Sequence, residues 1–404
     1  MAYKVGILTT HPIQYQVPWF RELAKNQEVD LTVFFCMIPD ALQQGDGFGV
    51  EFQWDIPLLN GYKYEVLKNV APKPSVTNFW GCDTPAIGDI VKRNGFDVFI
   101  VNGWGVKSCL QVLYACRKYK LPCIVRGESN SFHQRTWWKR MLHQWLLSKY
   151  SAFLNIGRSN KDFYLKNNIS NEKIFLTPYC VENDRFSSAA KELRSKRDDI
   201  RAGWKIEPSA FTFLFCAKFI EKKQPMDLLK ALDAAFKRME RSDNHVHLLM
   251  AGNGELKSQC ENFVQRNNLP VTFSGFLNQS EIVRAYVASD CLVLPSDYGE
   301  TWGLVVNEAM ACGLPAIVSD RVGCGPDLIY EGITGSIFPF KDVDTLAEKL
   351  ILFAKNPEKT KTMGEQAEKL IRKYSVEEVV KGTIDAIRYV CRESDDRGQT
   401  TEDR

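Results

Sequence analysis

The chain lacks several features that would settle its class at once. No apolar run approaches the roughly 18 to 20 residues that span a bilayer. Val98 to Val101 and Phe211 to Ala217 are typical of its hydrophobic stretches, so no transmembrane helix is expected. Net charge is nearly missing: 52 Lys and Arg against 49 Asp and Glu leave +3, which gives no basis for a dedicated nucleic-acid binder. An anionic ligand must then be met by a few local cations. Twelve cysteines occur without a Cys-x-x-Cys pair, and Cys36, Cys123, Cys216 and Cys291 sit inside apolar segments. They read as buried, reduced thiols rather than disulfides or zinc ligands. Tyr3-Lys4-Val5-Gly6-Ile7-Leu8 runs into His11-Pro12, too short an apolar stretch for a secretory signal, so a cytoplasmic location is expected. The sequons at Asn168 and Asn278 then carry no meaning. Internal repeats, low-complexity tracts, a strand-end Asp-x-Asp and His/Cys clusters with ligand spacing are also missing, so no metal site is expected.

What is present is the pattern of an α/β protein. The length of 404 residues is two to three times a domain of about 150, and 45% hydrophobic with 25% charged residues is ordinary for a soluble globular chain. Short β-branched or aromatic runs alternate with longer amphipathic stretches, which predicts parallel sheets with crossover helices. Strands are predicted at Tyr3–Thr9, Val29–Phe35, Asp97–Val101, Pro122–Val125, Ala152–Ile156 and Lys173–Thr177. A second series follows at Phe211–Ala217, His245–Ala251, Val271–Ser274, Cys291–Pro295, Ala316–Ser319 and Ser336–Phe338. This divides the chain into a first domain over 1–185 and a second over 206–374. Residues 186–205, crowded with Glu192, Arg194, Lys196, Arg197, Asp198, Asp199 and Arg201, read as a linker or as the solvated face of a short helix. Helices are predicted over Val343–Phe353, Lys359–Ile371 and Ser375–Tyr389. The terminal helix, 375–393, is a candidate to cross back to the first domain, and polar residues 394–404 read as a disordered tail.

Ligands of open parallel sheets bind beyond the carboxyl ends of the strands, so function is sought in strand-to-helix loops. The most informative of these lies between Leu294 and Pro315. A strand ends at Pro295, a polar loop follows, Gly303 opens a helix, and Cys312-Gly313 closes it. Free amides at Trp302, Gly303 and Leu304 would present a positive helix end suited to phosphate. The bare spacing of Glu300 and Glu308 also fits a helix cap and a surface acid. Alone, Gly252-Asn253-Gly254 is a weak dinucleotide signal, because no third glycine follows at the Rossmann spacing.

The complete string Pro295-Ser296-x3-Glu300-x-Trp302-Gly303-Leu304-x3-Glu308-Ala309-Met310-Ala311-Cys312-Gly313-Leu314-Pro315 closely resembles the signature of family 4 retaining glycosyltransferases. The resemblance implies the GT-B fold, two Rossmann-like parallel-sheet domains facing a deep cleft. It also implies transfer of a sugar from a nucleoside-diphosphate sugar to an acceptor hydroxyl with retention, in glycan, polysaccharide or glycolipid biosynthesis. Neither a cofactor nor a metal is implied beyond the donor itself, and the acceptor would be a glycan or a lipid-linked molecule. Glu300 would orient sugar hydroxyls and Glu308 the ribose, with Glu300 as a nucleophile the lesser alternative. Thr301, Trp302, Gly303 and Leu304 would hold the donor. Relatives carry an Arg after the first strand of the second domain, often with a Lys five residues on. Here Lys218 and Lys223 occupy those places, keeping the charge but not the guanidinium fork, beside a solvated Lys222. By the same analogy Gly252, Gly275 and Phe276 line the nucleotide pocket. His11, in the first strand-end loop, stands near the reacting centre although the glycines common there are missing. Arg126, Glu128 and His133 are acceptor-side candidates. A nucleotide-sugar epimerase of the same fold and a non-catalytic sugar-nucleotide-binding protein remain open alternatives.

Residues 135–149 read in two ways. Trp138, Met141, Leu142, Trp145 and Leu146 share one helical stripe with Arg135, Lys139, Arg140 and His143 around it. That is the pattern of a peripheral membrane contact at the inner face of a membrane, and equally of a crossover helix laid on a sheet.

Overall fold

In the computed structural model the strand-forming runs assemble into two all-parallel sheets. The structure describes residues 2–45, 47, 49–132, 135–239 and 245–402, with 393–402 given by backbone alone. The first sheet holds β1 (Tyr3–Thr9), β2 (Val29–Phe35), β3 (Tyr64–Val66), β4 (Val98–Asn102), β5 (Cys123–Arg126), β6 (Ala152–Asn155) and β7 (Ile174–Leu176). Their order is β3-β2-β1-β4-β5-β6-β7. The second holds β8 (Phe211–Cys216), β9 (Val246–Ala251), β10 (Val271–Gly275), β11 (Cys291–Leu294), β12 (Ala316–Ser319) and β13 (Gly335–Phe338). Its order is β10-β9-β8-β11-β12-β13. Both sheets are doubly wound. Strand order reverses between β1 and β4 and again between β8 and β11, the topological switch points at which such sheets open a crevice.

The central strands are covered on both faces, which is why they read as continuous apolar runs rather than alternating ones. Val5, Ile7 and Leu8 of β1 and Val98 to Val101 of β4 are buried, as are Leu292 to Leu294 of β11. Gly6 makes room for the Phe99 ring, where a Cβ would lie 2.3 Å from the ring edge.

The chain forms two compact units, one of Met1–Pro39, Pro57–Tyr179 and Ser375–Arg404, the other of Asp40–Ile56 and Cys180–Tyr374. The charged stretch 186–205 is folded structure within the second unit and not a linker. It comprises a helix over Asn183–Leu193, a 3-10 turn over Arg194–Lys196 and a helix over Arg197–Gly203. Its charges have specific partners. The buried Arg201 guanidinium donates to the carbonyl oxygens of Ala288 at 2.8 Å and Pro208 at 2.8 Å, and to Asp290 at 2.9 Å. Arg197 reaches the same carboxylate at 2.6 Å, and the Thr212 amide donates to it at 2.8 Å. Arg194 donates to the Cys312 carbonyl at 2.8 Å.

The last helix, Val376–Glu402, belongs to the first unit. Trp19 Nε1 donates to Thr383 Oγ1 at 3.1 Å, Arg388 pairs with Glu28 at 2.6 Å, and the Phe175 and Tyr389 rings lie 5.5 Å apart. Its backbone is helical to Glu402, past Ser394, where polar composition reads as a disordered tail. The twelve cysteines stand outside any disulfide.

Candidate functional site

The loops after β8 and β11 flank the switch point of the second sheet. Beyond Cys216 the chain runs through Lys218 into a 3-10 turn at Glu221–Lys223, and Gln224 in the left-handed region then leads into a helix over Pro225–Arg238. On the other side, the loop after β11 folds on itself: Gly299 donates to Asp297 Oδ1 at 2.7 Å and Glu300 to the Asp297 carbonyl at 3.0 Å. The two loops are tied together. The Asp297 amide donates to the Lys222 carbonyl at 2.9 Å, and the Lys223 ammonium forms an ion pair with Glu300.

Burial pulls the Glu300 carboxyl upward, but the charges of Lys223 and Lys222 and the Lys223 hydrogen bond outweigh it, leaving the group below the usual carboxylate range. Glu300 is thus an anion held by cations. Lys222 is half-buried and packs against this loop, so it is not the solvated neighbour expected from sequence; a Cβ on Gly299 would lie 3.2 Å from its Cε.

A helix over Leu304–Ala311 follows, with Gly303 as N-cap at φ 106° and Gly313 beyond the end at φ 81°. A side chain at Gly303 would meet Leu294 at 3.0 Å and Val322 at 3.1 Å, so both dihedral and space require glycine. Gly303 has no side chain with which to cap this helix start, and the first amides of the helix form its positive end. The preceding loop is fixed from behind: Gly323 donates to the Glu300 carbonyl at 3.0 Å and Cys324 to the Trp302 carbonyl at 2.9 Å. Thr301 is half-buried in that loop, its carbonyl against Gly323. Trp302 is buried, and its Nε1 donates to Asn307 Oδ1 at 2.8 Å. Its ring therefore anchors the loop in the interior, and its place in a donor site is limited to the backbone.

Glu308 lies within that helix and accepts from the buried Tyr286 hydroxyl at 2.6 Å. Burial raises its carboxyl, opposed in part by Tyr286, Arg185 and Gln279. The two acids thus sit in opposite electrostatic settings.

Gly252 and Gly275 differ in kind. A Cβ on Gly252 would fall 2.0 Å from the Ala217 carbonyl oxygen, so this glycine lets the loops after β8 and β9 cross. At Gly275, φ is 76° and no atom lies within 4 Å of a built Cβ. Phe276 is covered on one side by Phe52, with ring centroids 4.3 Å apart.

In the first unit, His11 follows β1, with its Nδ1 2.9 Å from the Thr10 hydroxyl. Burial lowers its pKa to about 4, so the ring is neutral near pH 7. Arg126 ends β5 and is buried, its guanidinium 4.6 Å from the centre of the Tyr179 ring and 5.4 Å from that of Trp19. Glu128 accepts from the Tyr179 hydroxyl. Tyr179 therefore joins these two acceptor-side candidates. His133 lies outside the described residues.

Comparison with known proteins follows the same division. A glycosyltransferase from Rickettsia africae superposes with a TM-score of 0.73 at 14% identity, covering 96% of this chain and 98% of that one. Anabaena HepE in complex with UDP gives 0.70 at 14% identity, covering 96% and 100%. This is the GT-B fold. Residues 196–370 match the family model described as glycosyl transferases group 1. An uncharacterized glycosyltransferase of Methanocaldococcus jannaschii is 30% identical over 173 residues, 42% of this chain and 45% of that protein. The match to this curated relative thus spans under half of its length.

One part of the GT-B chain was not foreseen. Asp40–Ile56, which follows β2 in sequence, belongs to the second unit. Asp40 caps a short helix over Ala41–Gln44 by a capping box, and Gly47 and Gly49 follow at φ 75° and 65°. A Cβ on Gly47 would lie 3.0 Å from Lys218 Nζ. Farther on, Asn278 donates to the Gln53 carbonyl at 2.7 Å, and the Ser280 amide to Asp55 at 3.1 Å. The strap thus approaches the candidate phosphate cation and the Phe276 face together. The signal was the cluster Gly45, Gly47 and Gly49, unusual inside a polar connection.

Proposed function

We propose that the protein is a metal-independent, retaining glycosyltransferase of family 4 with a Glu-x7-Glu motif. It transfers a sugar from a nucleoside-diphosphate sugar to an acceptor hydroxyl of a glycan or a lipid-linked molecule, in polysaccharide, glycan or glycolipid assembly on the cytoplasmic side. The observation that carries this reading is the switch point of the second sheet. There the Lys223–Glu300 pair joins the β8 and β11 loops beside a helix start without a side-chain cap at Gly303. Two lysines and a positive helix end suit a diphosphate leaving group. Anabaena HepE, similar in fold, is a protein that holds UDP, which supports a nucleoside diphosphate as the ligand class.

In the reaction, the acceptor oxygen forms a bond to the anomeric carbon while the bond from that carbon to the β-phosphate oxygen breaks. The departing nucleoside diphosphate takes the electron pair, and its phosphate oxygen receives the acceptor proton. Lys218, Lys223 and the amides of Gly303 and Leu304 stabilise the developing charge. Thr301 and the Trp302 backbone shape the approach to that helix start. Glu300, kept ionised by Lys223 and Lys222, accepts hydrogen bonds from sugar hydroxyls, and Glu308 from the ribose. Gly275 leaves open backbone for the nucleotide, Gly252 allows the loops to cross, and Phe276 with Phe52 offers an aromatic surface to the base. Neutral His11 hydrogen-bonds at the acceptor side, where Arg126 and Glu128 act through Tyr179. Twelve cysteines outside any disulfide suit a reducing compartment.

The test is mass spectrometry after incubation with a panel of nucleotide sugars in the presence of EDTA, with and without acceptor glycans or lipids. A glycosylated acceptor with the donor's anomeric configuration and released nucleoside diphosphate supports the proposal. A new sugar nucleotide formed without acceptor would make the protein an epimerase, and nucleotide binding without turnover a binding protein.

A further inference from the structure

The helix over Trp137–Leu147 leaves its apolar stripe in solvent. Trp137 is 74% exposed, Trp138 51%, Met141 59%, Leu142 54% and Trp145 60%. A crossover helix laid on its sheet would bury this face. Instead the helix is fastened by its other side: Leu147 is buried, Leu146 packs on the first unit's core, and the His143 ring lies 5.9 Å from that of Phe163. Folding therefore leaves three tryptophans and two large aliphatic side chains at least half in solvent, apolar area that gains by leaving water.

The charge around the stripe is one-sided. Between Glu128 and Asp162 the sequence has no carboxylate, but it has Arg135, Lys139, Arg140, Lys149, Arg158 and Lys161. The Lys139 ammonium lies 5.3 Å from the Trp138 ring centre and that of Lys149 5.3 Å from the Trp145 ring centre. Cations thus flank the rings that would enter an interface, an arrangement suited to acyl chains below and anionic headgroups beside them. Among the described residues no helix is long and apolar enough to cross a membrane. Contact through this face would therefore lie along a surface.

We propose that this helix face docks the protein on an anionic lipid bilayer, with the tryptophans at the headgroup boundary and the basic residues on lipid phosphates. A second copy of the chain is the poorer occupant, because the same patch on both partners would set the cations against one another with no carboxylate between them. The inference does not depend on the reaction proposed above.

The experiment uses the full chain with vesicles of phosphatidylcholine, alone or mixed with phosphatidylglycerol, read by co-sedimentation and tryptophan emission. Expected is binding to the mixed vesicles with a blue shift, at least about tenfold weaker in high salt. A W138S/M141S/W145S variant should lose about tenfold or more in vesicle affinity while keeping its melting temperature, because these side chains are already in solvent. A K139E/K149E variant should lose the preference for phosphatidylglycerol. Equal binding by the wild type and the W138S/M141S/W145S variant would overturn the proposal, as would no binding to either vesicle. Self-association abolished by that variant, without vesicle binding, would assign the face to a second copy and overturn it too.

Discussion

The Lys223 ammonium is paired with the Glu300 carboxylate across the loops that follow β8 and β11. Without Lys223 and its neighbour Lys222, burial would push Glu300 toward its neutral form; with them it lies below the ordinary carboxylate range. The pair thus keeps an anion and a cation ready at a switch point, each limiting the cost of burying the other.

Removing the cation should hurt more than neutralising the acid. K223A leaves Glu300 buried without its main partner, costing a few kcal/mol of stability, and lowers transfer by about 10²–10³. E300Q, which leaves the Lys223 ammonium without its carboxylate, should melt below the wild type near pH 7 but retain measurable transfer, as expected of an orienting group and not of a nucleophile. Because the folded pKa of Glu300 is depressed, the pair's contribution is present above the unfolded value and is lost as pH falls through the folded one. Melting curves against pH for wild type and E300Q isolate that term.

The two candidate glycines should separate stability from binding. In G252A the added Cβ meets the Ala217 carbonyl oxygen at 2.0 Å, which forces the β8 and β9 loops apart and should cost more than about 3 kcal/mol. G275A meets nothing within 4 Å and carries only the left-handed backbone penalty of about 1 kcal/mol. Urea denaturation of both variants checks the difference.

Mild acid should destabilise the second unit through His247. This buried imidazole, 3.0 Å from the Thr272 hydroxyl, is lowered to about 4 by burial and by Arg201. Its folded pKa is depressed, so between the unfolded value near 6.5 and about 4 the unfolded chain binds the proton and the folded one does not. Stability is full above that window and falls on acidification, by roughly 1 kcal/mol per pH unit at most, or about 2–4 °C in melting temperature. H247Q should flatten that slope in calorimetry.

Truncating Phe52 should release the strap. F52A removes the ring that lies 4.3 Å from Phe276, so amide exchange over residues 40–56 should rise by about tenfold or more while β8 to β13 keep their protection. Unchanged protection in the strap would mean that hydrogen bonds such as those from Asn278 to the Gln53 carbonyl and from Ser280 to the Asp55 carboxylate hold it without the ring.

The sheets were legible because their central strands are buried on both faces and need apolar runs, as residues 5–8 in β1 and 316–318 in β12 show. Tyr64–Val66 was missed for the converse reason: three exposed residues carry no such run. Arg197 and Arg201 suggested a linker because their partner Asp290 lies about 90 residues away in sequence, a relation that charge density conceals. The helix start at Gly303 followed from local chemistry, whereas the pairing of Glu300 with Lys223, 77 positions away in sequence, did not. The inward turn of Trp302 toward Asn307 and the capture of Glu308 by Tyr286 depend on tertiary packing, which motif spacing does not encode.

The most direct test of the donor site is calorimetric titration of the wild type and of K218A/K223A with a set of nucleoside diphosphates, in EDTA. The account predicts saturable binding of at least one nucleoside diphosphate by the wild type, weakened at least about a hundredfold when both cations are removed. Binding of equal strength by K218A/K223A, or no binding of any nucleoside diphosphate by the wild type, would contradict it.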